Sequence, residues 1–166
     1  DDSLEGLYFS AMEKAQEGDY KGSLPIFEKA ISTYGSVGME DFGPGFGGIY
    51  FDYGNALLQL QQWEPARDAF KTCAENYPNA KAGSDKKSKI DSVNKREKLA
   101  LFQSGYCEQM LKNPAEALKL YQRYIDSKPD SKELEAIRSA YSLRKGGALV
   151  AVGRTDEGEA ELTKLF

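Results

Sequence analysis

Residues 47–80 read GGIYFDYGNALLQLQQWEPARDAFKTCAENYPNA, and this stretch decides the fold. Its first half places Tyr50, Tyr53, Leu57 and Leu60 at spacings of three, four and three, one apolar stripe along a helix. A break follows, and a second helix is expected to begin with Pro65 near its first turn, where a missing N–H costs nothing. Pro78 ends that helix, because the residue before a proline is pushed out of the helical region. Gly54 and Ala66 are small where two antiparallel helices would cross, so the stretch predicts a helical hairpin.

The pattern recurs along the chain. From Gly54, the offsets nine, twelve, sixteen, nineteen and twenty-four reach Trp63, Ala66, Phe70, Cys73 and Pro78. The same offsets from Gly105 reach Pro114, Ala117, Tyr121, Tyr124 and Pro129, and from Ala11 they reach Tyr20, Ser23, Phe27, Ala30 and Gly35. From Gly146 they reach Thr155, Gly158, Leu162 and Leu165. Asn113, Ser131 and Thr155 are the expected N-caps of later helices. Pro25 falls about one turn into the second helix and is tolerable if that helix starts near Tyr20.

This framework of small, aromatic and proline positions resembles the tetratricopeptide repeat, a 34-residue helix–turn–helix unit. The expectation is an all-α fold: an α-solenoid of four antiparallel helix–turn–helix repeats with right-handed superhelical stacking and long junctions. The repeats span about 4–37, 47–80, 98–131 and 139–166, forming a single domain over 1–166. Origins lie 43, 51 and 41 residues apart, so every junction carries extra residues.

Two junctions are distinctive. Residues 35–48 hold six of the sixteen glycines, which reads as a long connector or as a binding loop presenting Met39, Phe42 and Phe46. Residues 79–98 carry seven Lys and Arg against three Asp and Glu. That run lacks the aromatic residues that stack nucleic-acid bases and reads as a solvated loop leading into the polar start of a helix.

Composition narrows the function. The chain has 166 residues, a formal charge of −4 and no histidine, which excludes Ser-His-Asp and Cys-His catalysis, histidine-bearing zinc sites and His-based pH switching. An acidic chain is not built around a phosphate backbone, so no nucleic-acid partner is expected. No apolar run is long enough to span a bilayer. Cys73 and Cys107 read as two buried thiols, and no cofactor or metal is expected. Carboxylate pairs such as Asp156 and Glu157 lie where helix starts favour acids, and Gly146-Gly147 is not a phosphate loop. No catalytic constellation emerges, so the chain is expected not to be an enzyme.

A stack of helical hairpins offers a concave surface lined by the first helix of each. By resemblance to the family, two rows face that groove: Tyr8, Phe51, Phe102 and Leu143, then Met12, Asn55, Tyr106 and Gly147. Some family members clamp a C-terminal carboxylate with two Asn, two Lys and an Arg. Here Asn55 and Arg144 match, whereas Phe51 and Ala140 stand where Lys is required and Gln103 replaces the second Asn. The leading expectation is a protein–protein interaction scaffold taking an extended or helical peptide segment in an aromatic groove. The runner-up is an architectural, self-associating segment of a larger assembly, a homo-oligomer through Leu162, Leu165 and Phe166. An Asp-Asp-Ser start without Met reads as a removed signal peptide or a fragment boundary, and favours a secreted or periplasmic protein over a cytosolic one.

Overall fold

The computed structural model describes residues 1–35, 46–76 and 87–166. Among them are eight helices and no strand: α1 (Leu4–Gln16), α2 (Tyr20–Tyr34), α3 (Gly47–Gln59), α4 (Trp63–Asn76), α5 (Lys87–Met110), α6 (Pro114–Asp126), α7 (Ser131–Ala151) and α8 (Thr155–Thr163). Consecutive helices pack as hairpins, and each second helix also meets the first helix of the next hairpin. Three buried clusters follow from this order. Leu7, Ala11, Phe27 and Ile49 join α1, α2 and α3; Phe51, Ala66, Phe70, Cys73 and Cys107 join α3, α4 and α5; Phe102, Tyr121, Tyr124 and Ala148 join α5, α6 and α7. The fold is therefore an α-solenoid of helix–turn–helix repeats, each contacting its neighbours.

The crossing point of each hairpin is set by the residue at the origin and the one sixteen further on. A Cβ on Gly54 would come within 2.9 Å of the Phe70 ring, one on Gly105 within 2.6 Å of Tyr121, and one on Gly146 within 2.7 Å of Leu162. Ala11 and Phe27, the same pair in the first hairpin, are both fully buried.

All four hairpin turns share one hydrogen-bond pattern. The residue seven beyond the origin has positive φ in every copy: Gly18 (84°), Gln61 (59°), Lys112 (67°) and Gly153 (88°). Around it, Asp19 N–H donates to Lys14 C=O, Gln62 to Leu57, Asn113 to Glu108 and Arg154 to Leu149, while the left-handed residue donates to the carbonyl three before it. This is a Schellman motif, which closes the first helix and returns the chain antiparallel. Asp19, Gln62, Asn113 and Arg154 then accept the first backbone bond of the second helix.

Some caps differ from expectation. Asp130, not Ser131, caps α7, through a capping box with Glu133, whose N–H and carboxylate both engage the Asp130 position. Thr155 opens α8 rather than capping it, and Arg154 holds the cap position without a side-chain capping bond. Asn113 is the N-cap of α6, although the turn is made by its backbone and its side chain makes no capping bond. Pro25 lies within α2, which begins at Tyr20.

At the second and third junctions, extra residues lengthen the next first helix. α5 has 24 residues and α7 has 21, against 13 for α1 and α3. In both long helices the surplus turns precede the hairpin, so the described part of the basic junction (87–98) is helix.

Both cysteines are free and buried. Burial pushes each thiol up to about 12 from an ordinary 9.0. The folded state then holds these protons where the unfolded chain has lost them. Their contribution to stability is complete below pH 9 and disappears as pH rises toward 12. Denaturant midpoints are expected to be insensitive to these thiols near neutrality and to fall through that alkaline window. A thiol-reactive dye added at about pH 8 should label neither residue until unfolding; prompt native labelling would contradict the burial.

Candidate functional site

The first helices α1, α3, α5 and α7 form one row, and the expected groove residues lie on them. Two of those residues are not available to a partner. Phe51 is 8% exposed and packs edge-on against Phe70 at 5.8 Å. Phe102 is 2% exposed and sits among Tyr121, Tyr124 and Tyr141 at 5.6–6.0 Å. They are core residues, because one helix turn behind the crossing glycine their rings fill the gap between hairpins. Phe46, expected on a binding loop, is also buried and packs edge-on against Tyr50 at 6.0 Å. Met39 and Phe42 lie outside the described residues.

At the N-terminal end of the row, Tyr8 and Met12 are half-buried against the first cluster. The Tyr8 hydroxyl donates to the Asp52 carboxylate, joining α1 to α3. Burial raises the Asp52 carboxyl, while the Tyr8 hydrogen bond and the Arg96 charge oppose the rise. Burial also raises the Tyr8 phenol, reinforced by Asp52 and opposed by Arg96. Arg96 comes from the lengthened part of α5 and lies so close to α3 that a Cβ on Gly48 would collide with its Nη1. A cleft of about 370 Å³ opens here, with Leu4, Phe46 and Ile49 beside Tyr8 and Arg96. Asn55, further along α3, is half-buried.

The C-terminal half of the row carries the more distinctive arrangement. The Arg144 guanidinium lies 3.9 Å from the Tyr106 ring centroid and 4.6 Å from that of Phe102. Its Nη1 donates to Gln103 Oε1 at 3.0 Å. Trp63 from α4 braces Tyr106 edge-on, 5.6 Å away at 88°. Burial lowers Arg144 from its ordinary value, yet a guanidinium remains charged at neutral pH. Among the described residues it forms no ion pair. Aromatic faces attract a cation but leave its in-plane N–H donors unused.

Apolar side chains on the same two helices, α5 and α7, stand in the open. Leu143 is 57% exposed, Val150 41% and Met110 40%. Leu143, Gly147 and Val150 recur at i, i+4 and i+7, one face of α7, while Tyr106 and Met110 are one turn apart on α5. Gly147 leaves the floor bare between Leu143 and Val150, and a Cβ there would lie 3.1 Å from Gln109 Nε2. Met110, Val150 and Gln109 were legible only as the next turn beyond Tyr106 and Leu143. At the other end of the chain, Leu165 and Phe166 are exposed whereas Leu162 is half-buried. No helix among the described residues is long and apolar enough to cross a membrane.

Comparison with known proteins follows the same lines. The family model of the tetratricopeptide repeat matches residues 49–80 and 99–131. No curated protein matches the sequence. Among solved structures, two crystal structures of MamA are similar: one at 17% identity, covering 93% of this chain and 91% of that one with a TM-score of 0.46, and one at 16% identity, covering 98% and 90% with a TM-score of 0.47. Residues 49–80 and 99–131 are thus tetratricopeptide repeats, helical hairpins of the kind that serve as protein–protein interaction scaffolds, and the other two hairpins are built on the same framework.

Proposed function

We propose that the protein is a non-catalytic scaffold that binds a peptide segment of a partner along the row of first helices, centred on α5 and α7. One observation carries this reading: Arg144 stands half-buried against Tyr106 and Phe102 with no carboxylate partner among the described residues, on a helix pair that also exposes Leu143, Val150 and Met110. A half-buried cation costs desolvation free energy that an incoming acidic group would offset. Exposed apolar side chains on both sides supply surface for a partner to bury. The aromatic part of the groove is then Tyr106 rather than Phe51 or Phe102, with Tyr8, Met12 and Asn55 extending the same row toward the N-terminus.

The experiment uses residues whose loss spares the core. Leu143→Asp and Tyr106→Ala are each expected to weaken binding of an affinity-purified partner by about tenfold or more, the order of a lost interface anchor. Circular dichroism and the thermal midpoint should stay near wild type for Leu143→Asp, because that side chain is exposed. Unchanged partner affinity in both variants would remove the groove reading.

A further inference from the structure

The surplus turns of α5 and α7 wall a cavity of about 190 Å³ beside α6. Lys95, Glu133, Ala136 and Ile137 line it from those turns, ahead of the repeats at 98–131 and 139–166, and Leu99 and Tyr124 complete it. The repeat framework does not require these turns, and none of the six residues belongs to the groove. Tyr124 is 1% exposed, and its hydroxyl has no hydrogen-bond partner among the described residues, whereas the equally buried Tyr121 donates to Gln109. Burial, reinforced by Glu133 and Asp130, pushes the Tyr124 phenol up to about 12, so at neutral pH it keeps its proton. Lys95 on α5 and Glu133 on α7 form no ion pair with each other or with any other described residue. Glu133 Oε2 accepts from the Asp130 N–H at 3.1 Å in the capping box, which leaves its other oxygen open.

We infer that this cavity binds a free α-amino acid with a branched aliphatic side chain, its carboxylate on Lys95, its ammonium on Glu133 and the Tyr124 hydroxyl oxygen, and its side chain against Leu99 and Ile137. An apolar cavity of about 150 Å³ holds benzene, so this one takes a ligand of roughly six to ten non-hydrogen atoms. The lining sets the chemistry within that size. A purely apolar ligand would leave the Tyr124 hydroxyl buried without a partner, at a cost. A ligand of one charge would answer Lys95 or Glu133 and draw the other close without a bond to make. An amino acid carries both charges on one carbon and a small apolar body beside them, and each of its ionic contacts is a charge-assisted hydrogen bond. The site is independent of the groove reading, since it shares no residue with it.

The test is a nuclear magnetic resonance titration of the full chain with leucine to millimolar concentration, read at the methyl signals of Leu99, Ala136 and Ile137. Leucinamide, which lacks the carboxylate, and N-acetylleucine, which lacks the ammonium, are titrated in parallel. Leucine is expected to shift these methyls, and each blocked form to bind about tenfold more weakly, the order for losing a charge-assisted bond. Glu133→Gln keeps the capping acceptor but removes the charge, and Tyr124→Phe keeps the ring but removes the hydroxyl; each is expected to weaken leucine by about tenfold. The thermal midpoint of Tyr124→Phe should stay at or above wild type, because an unpartnered hydroxyl contributes nothing to the fold. A lower midpoint would show that the hydroxyl is bonded within the protein and would overturn the inference. So would methyls that leucine leaves unmoved, or leucine affinity unchanged by Tyr124→Phe. N-acetylleucine binding as well as leucine would mark the occupant as the C-terminal residue of a chain, and leucinamide doing so would mark an N-terminal one; either overturns the free amino acid.

Discussion

Replacing Arg67 by Met is expected to lower the unfolding free energy by about 3 kcal/mol, the low end of the cost of breaking a buried ion pair. Arg67 on α4 donates from Nη1 to Glu108 Oε1 on α5 at 3.0 Å, and the Glu108 side chain is only 4% exposed. Removing the guanidinium strands that carboxylate between two hairpins, where water cannot replace its partner. Arg67 keeps about a quarter of its surface exposed and also meets Asp68 and Glu64, at 3.1 and 3.9 Å; these are exposed carboxylates whose pairs contribute little. The double variant Arg67→Met with Glu108→Leu is expected to return to within about 1 kcal/mol of wild type, since well-packed apolar pairs replace buried ion pairs at little cost. Urea titrations of wild type, the single variants Arg67→Met and Glu108→Leu, and the double variant would check this. A double variant as unstable as the single one would show that packing, not charge, holds the α4–α5 junction.

Gly105→Val is expected to cost about 3 kcal/mol, because the added atoms meet a ring that has nowhere to go. A Cβ at Gly105 would stand 2.6 Å from Tyr121 Cε1 and 3.3 Å from Leu120 Cβ, and Tyr121 is 1% exposed among Phe102 and Tyr141. Displacing Tyr121 would also release Gln109, so the groove should change with the core. Gly147→Ala is the matched control. It meets only the Gln109 side-chain nitrogen, at 3.1 Å, which need give way by only a few tenths of an ångström, and should raise stability by about 0.5–1 kcal/mol through helix propensity while narrowing the groove floor. Thermal unfolding of the two variants checks both signs; equal effects would mean that helix propensity, not helix contact, governs these glycines.

The candidate site was legible in part. Tyr106, Leu143, Gly147 and Arg144 follow from counting along the repeat, because the first helix of every hairpin turns the same face to the same side. Phe51 and Phe102 share that register yet point into the core, since an aromatic ring in that row reaches the second helix of its own hairpin and fills space there. The pairing of Arg67 with Glu108 joins residues 41 apart and has no local signature. Gly18 and Gly153 take the left-handed backbone at two of the turns, and Gln61 and Lys112 take it at the other two without a glycine's freedom, so the turns carry no uniform residue signature.

The sequence by itself determined the repeat: the hairpins, their crossing residues sixteen apart, and the absence of any histidine chemistry. These are local quantities, set by helical periodicity and by the few residues small enough for a helix crossing. The tertiary structure decided what local spacing cannot encode: that the second and third junctions extend α5 and α7, that Arg96 reaches Gly48 of α3, and that Arg144 lies on Tyr106 and donates to Gln103. Each depends on the distance and angle between one hairpin and the next, which follow from how side chains far apart in sequence fill the space between them.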